Sequence, residues 1–526
     1  MDLAIFSARV FTGNPKRPWA EAIGIKKHRI AAVGSNETIK PLCNTKTMTL
    51  ELPGRLITPG IVDAHLHFIS LGMALKWVDL RNLKSLSACR EKIKASVASH
   101  RPGQWIIGRG WNHHKWDDTT EPSMKDLDDI TPNNPAMMIR ACGHSVWVNS
   151  EALRRAGITS TTPDPPGGKI ERDPVSGKPT GLLREARKLI ENHIPAPTLE
   201  ERMEFALIAQ KEALRYGITG VHSCETLQQW DALSDLDSEG KLKIRIHHLT
   251  PPEDLNEAAS QGLLSNSESK RLWLGHVKLF ADGSLGAGTA LLHEPYTDAP
   301  TERGIACMSK EEMIEKIKQA YQHDRDVAIH AIGDLGVTNA IEAICTARNH
   351  STTARRDRIE HVQLFRPQDL EKFRKLDVVA SVQPVFLSTD WQPALKRWGA
   401  ERCRYGYAWK SILKAGVRQQ FGSDAPVEPI NPLLGLQAAV TRKTPDGQPE
   451  DGWYPEEKLN LHQAIEGFTV IPAWTARKET LSGTIERGKW ADLTVFDRDL
   501  FKTPAQAWHT VDIEMTIVDG EVVYQK

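Results

Sequence analysis

The sequence predicts an α/β fold built on a parallel (β/α)8 (TIM) barrel. Eight short apolar runs resemble buried strands, and helical patterns lie between several of them. Strands that alternate with helices form parallel sheets, and eight such strands close a barrel. An open, doubly wound parallel sheet is the alternative. The eight runs are residues 55–67, 217–223, 243–249, 274–282, 326–334, 358–364, 378–384 and 417–426.

Two helices between these strands are recognisable by their first turns. Thr198 with Glu201, and Ser309 with Glu312, have the spacing of a capping box, in which side chains bond the backbone N–H groups of the first turn. After Ser309, apolar residues recur at intervals of three or four, as in a helix with one buried face. Each pair therefore marks the start of a predicted helix.

The rest of the chain predicts two further parts. Residues 68–216 separate the first two strands, far more than the loops of about 2–6 residues that join strands and helices. We therefore expect an inserted subdomain at about 69–216. Both chain ends show short strand patterns, and Asp519-Gly520 between two apolar runs is a hairpin signal. We expect residues 1–57 and 475–526 to form one composite β-sandwich, and residues 58–474 to form the barrel with its insert.

The composition restricts the partners and the location. The 526 residues include 67 Lys and Arg and 67 Asp and Glu, and this zero net charge argues against nucleic acid as the main partner. No apolar run reaches the length of about 18 residues that a membrane span needs, and no secretory signal is recognisable. Seven scattered cysteines without a C-x-x-C pair favour a reducing compartment. We expect a cytoplasmic protein that acts on a small molecule; a homodimer stays open.

Two histidines at the end of the first strand are the first candidates for a metal site. His65 and His67 are two residues apart, so they point to the same face of a strand. Two imidazoles provide half of a tetrahedral zinc site. This motif alone is weak, because histidines with this spacing are more often packing or surface residues.

Three later strands end in further metal-binding side chains. His330 ends the fifth run, His361 the sixth and Asp424 the eighth. Active sites of barrels lie at the C-terminal ends of the strands, so these residues are expected to meet His65 and His67. A core histidine or a helix-capping aspartate explains each residue alone but not all five together. The five residues therefore predict a metal centre.

Lys278 is unusual because it lies inside an apolar strand, between Val277 and Leu279. A buried ammonium group is costly unless it is paired. A salt bridge to Asp282 is one explanation, and the sequence pattern alone favours it. The other is that the neutral amine reacts with CO2 to form a carbamate, an anionic oxygen ligand that can bridge two metal ions.

Several segments make the chain resemble the amidohydrolase superfamily. Within it, they resemble the amidohydrolase-3 branch of YtcJ-like metal-dependent hydrolases, which includes N-substituted formamide deformylases. The segments follow one another in order from about residue 50 to about residue 500. They include PGIVDAHLH, VKLFADGSLG, AIHAIGD, RIEHVQ, GSDAPVEPINPL and GTIERGKWADLTVFD. The match is specific for the branch and says little about the substrate.

The resemblance implies a binuclear metal site with two divalent ions, expected to be zinc. Asp63 lies outside the implied ligand set and is expected to orient His65 or its neighbours. The implied ligands are His65, His67 and Asp424 for the more buried ion, His330 and His361 for the second ion, and a carbamate on Lys278 that bridges both.

The implied reaction is hydrolysis of a C–N bond other than a peptide bond, in an N-acyl or N-formyl amide. Two metal ions lower the pKa of a bridging water, the resulting hydroxide attacks the carbonyl, and Asp424 acts as general acid and base. An ester or carbamate hydrolase with the same site is one alternative. A non-catalytic member that binds a ligand or takes part in regulation is another. A deaminase is disfavoured, because Lys278 occupies the bridging position.

Three residues of the insert are candidates for contacting the substrate. His144 and Asn149 belong to the segment GHSVWVNS, which matches a motif of the branch, and Trp111 belongs to a group of Trp-rich loops. The resemblance implies that the motif borders the substrate pocket. The alternatives are a structural hydrogen bond for His144 and packing within the insert for the tryptophans.

Overall fold

The computed structural model describes residues 1–117, 119–141, 145–263, 269–349 and 354–526. One parallel sheet contains the eight predicted strands in chain order, which confirms the barrel prediction. We number these strands β1 to β8. They are Ile61–Leu66, Ile218–Cys224, Arg245–Thr250, Leu272–Phe280, Val327–Ala331, Arg358–His361, Val379–Val382 and Gln419–Phe421.

The first and last strands lie side by side and so close the sheet. The backbone N–H of Asp424 donates to the carbonyl oxygen of His65 at 2.6 Å, and the N–H of His67 donates to that of Ala425 at 2.8 Å. Gly422 permits this approach, because a Cβ atom there would lie only 2.5 Å from the backbone nitrogen of His65. The open, doubly wound alternative is therefore wrong.

Helices follow or precede the barrel strands. The capping box of Thr198 and Glu201 is confirmed, because each residue's backbone N–H donates to the other's side chain. Ser309 accepts from the N–H of Glu312 at 3.1 Å. No helix among the described residues has both the length and the apolar character of a membrane span. The barrel helices of at least six residues are Phe68–Lys76, Leu199–Arg215, Leu227–Ser238, Leu255–Ser260, Lys310–Gln322, Asp334–Arg348, Asp369–Leu376, Leu387–Cys403, Trp409–Lys414, Pro432–Thr441, Leu461–Phe468 and Val470–Thr475.

Strands from both chain ends form a β-sandwich. Buried side chains of the two sheets, such as Ile5 and Ile23 of one and Val495 and Ile517 of the other, share a single core. The first sheet has the order Arg29–Gly34, Ala22–Lys26, Leu3–Phe6, Met48–Glu51. The second has the order Glu521–Gln525, Ile513–Val518, Leu493–Phe496, Leu56–Pro59, Arg9–Phe11, Trp19–Ala20.

The segment between β1 and β2 contains a separate compact unit, Met73–Glu201, with its own sheet. The predicted insert, about 69–216, is longer because it includes most of the helix Leu199–Arg215. From Arg202 onward this helix belongs to the unit that contains the barrel, where Thr516 donates to the carbonyl of Leu214 at 2.7 Å. The sheet of the inserted unit has the order Lys169–Arg172, Pro179–Arg184, Ser145–Val148, Ala136–Arg140, Ile106–Trp111, Val78–Asp79, and its helices are Leu86–Val97, Lys125–Asp128, Ser150–Arg155 and Lys188–Glu191.

Candidate metal centre

Three predicted ligands lie together where β1 and β8 end. One donor atom each from His65, His67 and Asp424 lies within 4.8 Å of the other two. Oδ1 of Asp424 is 3.4 Å from Nε2 of His65 and 3.4 Å from Nε2 of His67. Two imidazole nitrogens and a carboxylate oxygen are a common donor set for zinc. The arrangement can therefore hold a divalent ion.

Two more predicted ligands adjoin this group. The ring centroid of His361 lies 4.9 Å from that of His65 and 4.5 Å from that of His330. Nε2 of His330 lies 3.0 Å from the carbonyl oxygen of Gly283. Nδ1 is therefore the ring nitrogen that remains for a metal ion. The four histidines and Asp424, from four different strands, thus surround one region inside the C-terminal end of the barrel.

Two of these residues have unusual backbone conformations. The φ angle is +74° at His361 and +61° at Asp424, a region that few residues other than glycine adopt. In a regular strand His361 would face away from its neighbour Glu360, whose carboxylate contacts His65 inside the barrel. The left-handed turn lets adjacent side chains reach the same interior. Backbone strain of this kind is concentrated at functional sites.

Lys278 is buried in the barrel without a hydrogen-bonding partner. Its side chain is 5% exposed, and among the described residues Nζ has no acceptor. Asp282, the expected salt-bridge partner, instead accepts from the backbone N–H groups of Leu291, Ile332 and Gly333 at 2.8–2.9 Å. The predicted salt bridge is therefore wrong, because loop amides already use this carboxylate.

Burial controls the protonation of three of these groups. It lowers the pKa of His330 to about 3 and that of His361 well below its ordinary value, so both rings are neutral near neutral pH. A neutral imidazole is the form that binds a metal. Burial also lowers the pKa of Lys278, although the nearby charges of Glu360 and Asp424 oppose this shift.

The carboxylate of Asp424 and the rings of His65 and His67 together form an environment that favours a positive charge. Burial opposes the ionisation of Asp424, but hydrogen bonding to His65 and His67 holds the pKa of its carboxyl well below the usual range. Burial also opposes protonation of the two rings, but neighbouring groups, including Asp424, raise the pKa of both. A buried carboxylate that attracts protons onto two adjacent imidazoles is a suitable environment for a cation.

Residues around the ligands fix the orientation of the two β1 histidines. Nδ1 of His65 lies 2.6 Å from Oε2 of Glu360, and Nδ1 of His67 lies 2.7 Å from the carbonyl oxygen of Cys224. Asp63 accepts from the backbone N–H of His65 at 3.2 Å, and its supporting role stays a prediction.

Glu360 and Arg358, two residues before it, were not among the residues predicted from the sequence. Nε of Arg358 lies 2.5 Å from Oε1 of Glu360, and both side chains are completely buried. Burial opposes the charge of Glu360, but Arg358 and His65 hold the pKa of its carboxyl well below the usual range. The sequence does contain a signal for this pair: two opposite charges lie two residues apart in a strand predicted to be buried, and charged side chains are almost never buried unpaired.

The three predicted substrate residues belong to the inserted unit. His144 lies outside the described residues. Asn149 is buried and accepts from the backbone N–H groups of Ala136 and Ala152. Trp111 is 2% exposed, and its indole N–H donates to the carbonyl of Met138 at 2.7 Å. These contacts give Asn149 and Trp111 structural roles within the unit, and substrate contact stays a prediction.

Known proteins resemble this chain along almost its whole length. A model described as the amidohydrolase family matches residues 49–524. The chain belongs to the amidohydrolase family. This confirms the resemblance on which the expected ligand set was based, and membership of this family supports a hydrolase.

Individual relatives support the same assignment. The chain is 34% identical over 515 residues to the putative amidohydrolase YtcJ of Bacillus subtilis, covering 96% of each protein. It is 28% identical over 541 residues to N-substituted formamide deformylase of Arthrobacter pascens, covering 100% of this chain and 98% of that protein. The structure of an uncharacterized metal-dependent hydrolase from Pyrococcus furiosus has a TM-score of 0.79 and 31% identity, covering 94% and 99% of the two chains.

Proposed function

We propose that this amidohydrolase is a metal-dependent enzyme that hydrolyses a C–N bond other than a peptide bond, in an N-acyl or N-formyl amide. The observation that carries the proposal is the group of His65, His67 and Asp424, whose donor atoms lie within 4.8 Å of one another beside His330 and His361. The whole-length similarity to N-substituted formamide deformylase supports the substrate class.

The residues at this site suit two divalent ions. His65, His67 and Asp424 would hold one ion, and His330 with His361 would hold the second. Nδ1 of His361 is buried and has no hydrogen-bonding partner among the described residues, so its lone pair is available to a metal. Bound divalent ions of this kind, zinc in our proposal, supply a water of lowered pKa and a Lewis acid for a substrate carbonyl.

Lys278 would complete this ligand set as a carbamate. A neutral lysine amine adds to the carbon of CO2 and releases one proton, which converts a potential cation into an anion with two oxygen donors. Burial without a hydrogen-bonding partner favours the neutral amine, whereas the ring of Phe280, whose centroid lies 4.1 Å from Nζ, favours the cation. An anion beside several imidazoles would balance the charge of two bound cations.

Asp424 would move the proton during hydrolysis. Its carboxylate stays ionised despite burial, so it can accept a proton from the attacking water. It would then donate that proton to the nitrogen of the departing amine. Its Oδ1 lies 3.4 Å from Nε2 of His65 and 3.4 Å from Nε2 of His67, so the carboxylate lies beside the two proposed ligands.

A panel of small substrates tests this function. Zinc-loaded protein is incubated with N-formyl amides, N-acyl amides, carbamates and esters that carry the same aromatic amine or alcohol, and the released acid is quantified. We expect hydrolysis of the N-formyl or N-acyl amides, with turnover that a chelator removes and zinc restores. Hydrolysis restricted to esters or carbamates would favour the alternative activity, and no hydrolysis by folded, zinc-loaded protein would favour a non-catalytic member.

A further inference from the structure

A chain of buried polar side chains extends from the metal centre across the barrel. Oε2 of Glu360 lies 2.6 Å from Nδ1 of His65, and its Oε1 lies 2.5 Å from Nε of Arg358. Arg358 also donates from a terminal nitrogen to Nδ1 of His222 at 2.7 Å. The four side chains thus connect a predicted ligand, His65, with Arg358 of β6 and His222 of β2.

This chain crosses the interior of the barrel. His65 is on β1, Glu360 and Arg358 are on β6, and His222 is on β2. Strand β6 is a neighbour of neither β1 nor β2 in the sheet, so both contacts span the interior. The four residues are at most 2% exposed. Buried charges are retained only where they are well paired, and here the pairing leads directly to His65.

Glu360 determines which nitrogen of His65 is available to a metal. An ionised carboxylate is an acceptor only, so Nδ1 of His65 must carry a hydrogen to bond Oε2. In the neutral ring Nε2 then keeps its lone pair, and Nε2 is the atom that lies 3.4 Å from Asp424. Arg358 in turn neutralises and holds the carboxylate.

The two neighbouring ligands are held differently. His67 makes the equivalent contact from Nδ1 to the backbone carbonyl of Cys224, which no side-chain substitution removes. His65 depends on a charged side chain for the same contact. Only the His65 contact can therefore be altered by mutation without changing a predicted ligand.

We infer that Glu360, held by Arg358, is a positioning residue that fixes the orientation and tautomer of His65 for metal binding. The inference rests on the proposed metal centre. Partners of this kind change metal affinity by about 10- to 100-fold in other metal sites. The role differs from packing, because it predicts a change in metal affinity in a protein that remains folded.

Glu360→Gln tests this role. Glutamine keeps the shape but has one oxygen and one NH2 group, so an NH2 group replaces the oxygen that faces either Nδ1 of His65 or the guanidinium of Arg358. With NH2 toward His65, the ring must present a bare Nδ1 and carry its hydrogen on Nε2, which removes the ligand lone pair. We expect about 10- to 100-fold weaker zinc binding in chelator competition, and an altered visible spectrum of the cobalt-substituted protein.

Glu457→Gln is the matched control. Glu457 is also buried and accepts two hydrogen bonds from Ser411, at 2.8 Å and 2.6 Å, but it contacts no predicted ligand. This variant should bind zinc like the wild type. Wild-type affinity and an unchanged cobalt spectrum in folded Glu360→Gln would overturn the inference, whereas absence of zinc binding by the wild type would overturn the proposed metal centre itself.

A measurement on the wild-type protein covers the case in which Glu360→Gln fails to fold. Zinc-loaded protein labelled with 15N-histidine is compared with His65→Gln to assign the ring signals of His65. We expect a downfield Nδ1–H signal that exchanges slowly with water, because the hydrogen is bonded to a buried carboxylate. Rapid exchange of this hydrogen, or its absence, would overturn the inference.

Discussion

Asp424→Asn is expected to lower kcat by about 100- to 10 000-fold while the protein keeps its divalent ions. Asparagine retains an oxygen donor at the position 3.4 Å from Nε2 of His65 and of His67, so metal binding should survive. Its amide does not accept a proton from water near neutral pH, so the proton transfer assigned to Asp424 is lost. Steady-state kinetics on an N-formyl amide and elemental analysis of the same sample measure both effects.

Asp369→Asn is the control for this substitution. Asp369 is also a buried carboxylate and accepts from the hydroxyl of Thr338 at 2.6 Å, but it is not among the predicted ligands. The control should keep wild-type kcat within a few-fold. Undiminished turnover in Asp424→Asn would contradict the role of Asp424, and loss of metal would show that its charge is needed for binding.

Lys278→Ala is expected to lose at least one metal ion per chain. Without the amine no carbamate forms, and the anionic bridge between the two ions disappears. Each ion is expected to contribute several kcal/mol to transition-state stabilisation, so the rate should fall by at least about 100-fold. Metal content and kcat measured on the same preparation test this expectation.

Short-chain carboxylates should partly restore Lys278→Ala. Acetate or propionate can enter the space left by the side chain and supply the oxygen donors of the missing carbamate, whereas sodium chloride at equal concentration cannot. Lys372→Ala, which removes a lysine paired with Glu342, serves as the control and should keep its metal and gain nothing from acetate. Full occupancy by two ions in Lys278→Ala would rule out the bridging role.

The sequence was sufficient to predict the barrel and the grouping of four histidines and Asp424 at one end of it. Burial on both faces makes the barrel strands continuous apolar runs, which are visible without a structure. The C-terminal ends of parallel strands meet at one face, so His330, His361 and Asp424 could be expected to meet His65 and His67. The positive φ angles of His361 and Asp424 were not predictable, because local sequence does not reveal the closure that imposes them.

Contacts between distant strands could not be predicted. The burial of Lys278 was recognised as energetically costly. Its expected partner Asp282 instead accepts hydrogen bonds from loop amides that approach it only in the folded chain. The bond between His65 and Glu360 joins residues 295 positions apart, and nothing local marks it. The predicted insert included most of the helix Leu199–Arg215, whose residues from Arg202 onward belong to the unit that contains the barrel. Chain spacing alone does not show which unit a helix packs against.

The number of divalent ions that the folded protein binds tests the proposed metal centre most directly. Metal-free protein is titrated with zinc, bound metal is determined by elemental analysis after gel filtration, and circular dichroism verifies the fold. We expect that about two ions bind per chain and that a chelator removes both. Folded protein that retains no zinc at all would contradict the proposal that this amidohydrolase is a metal-dependent enzyme.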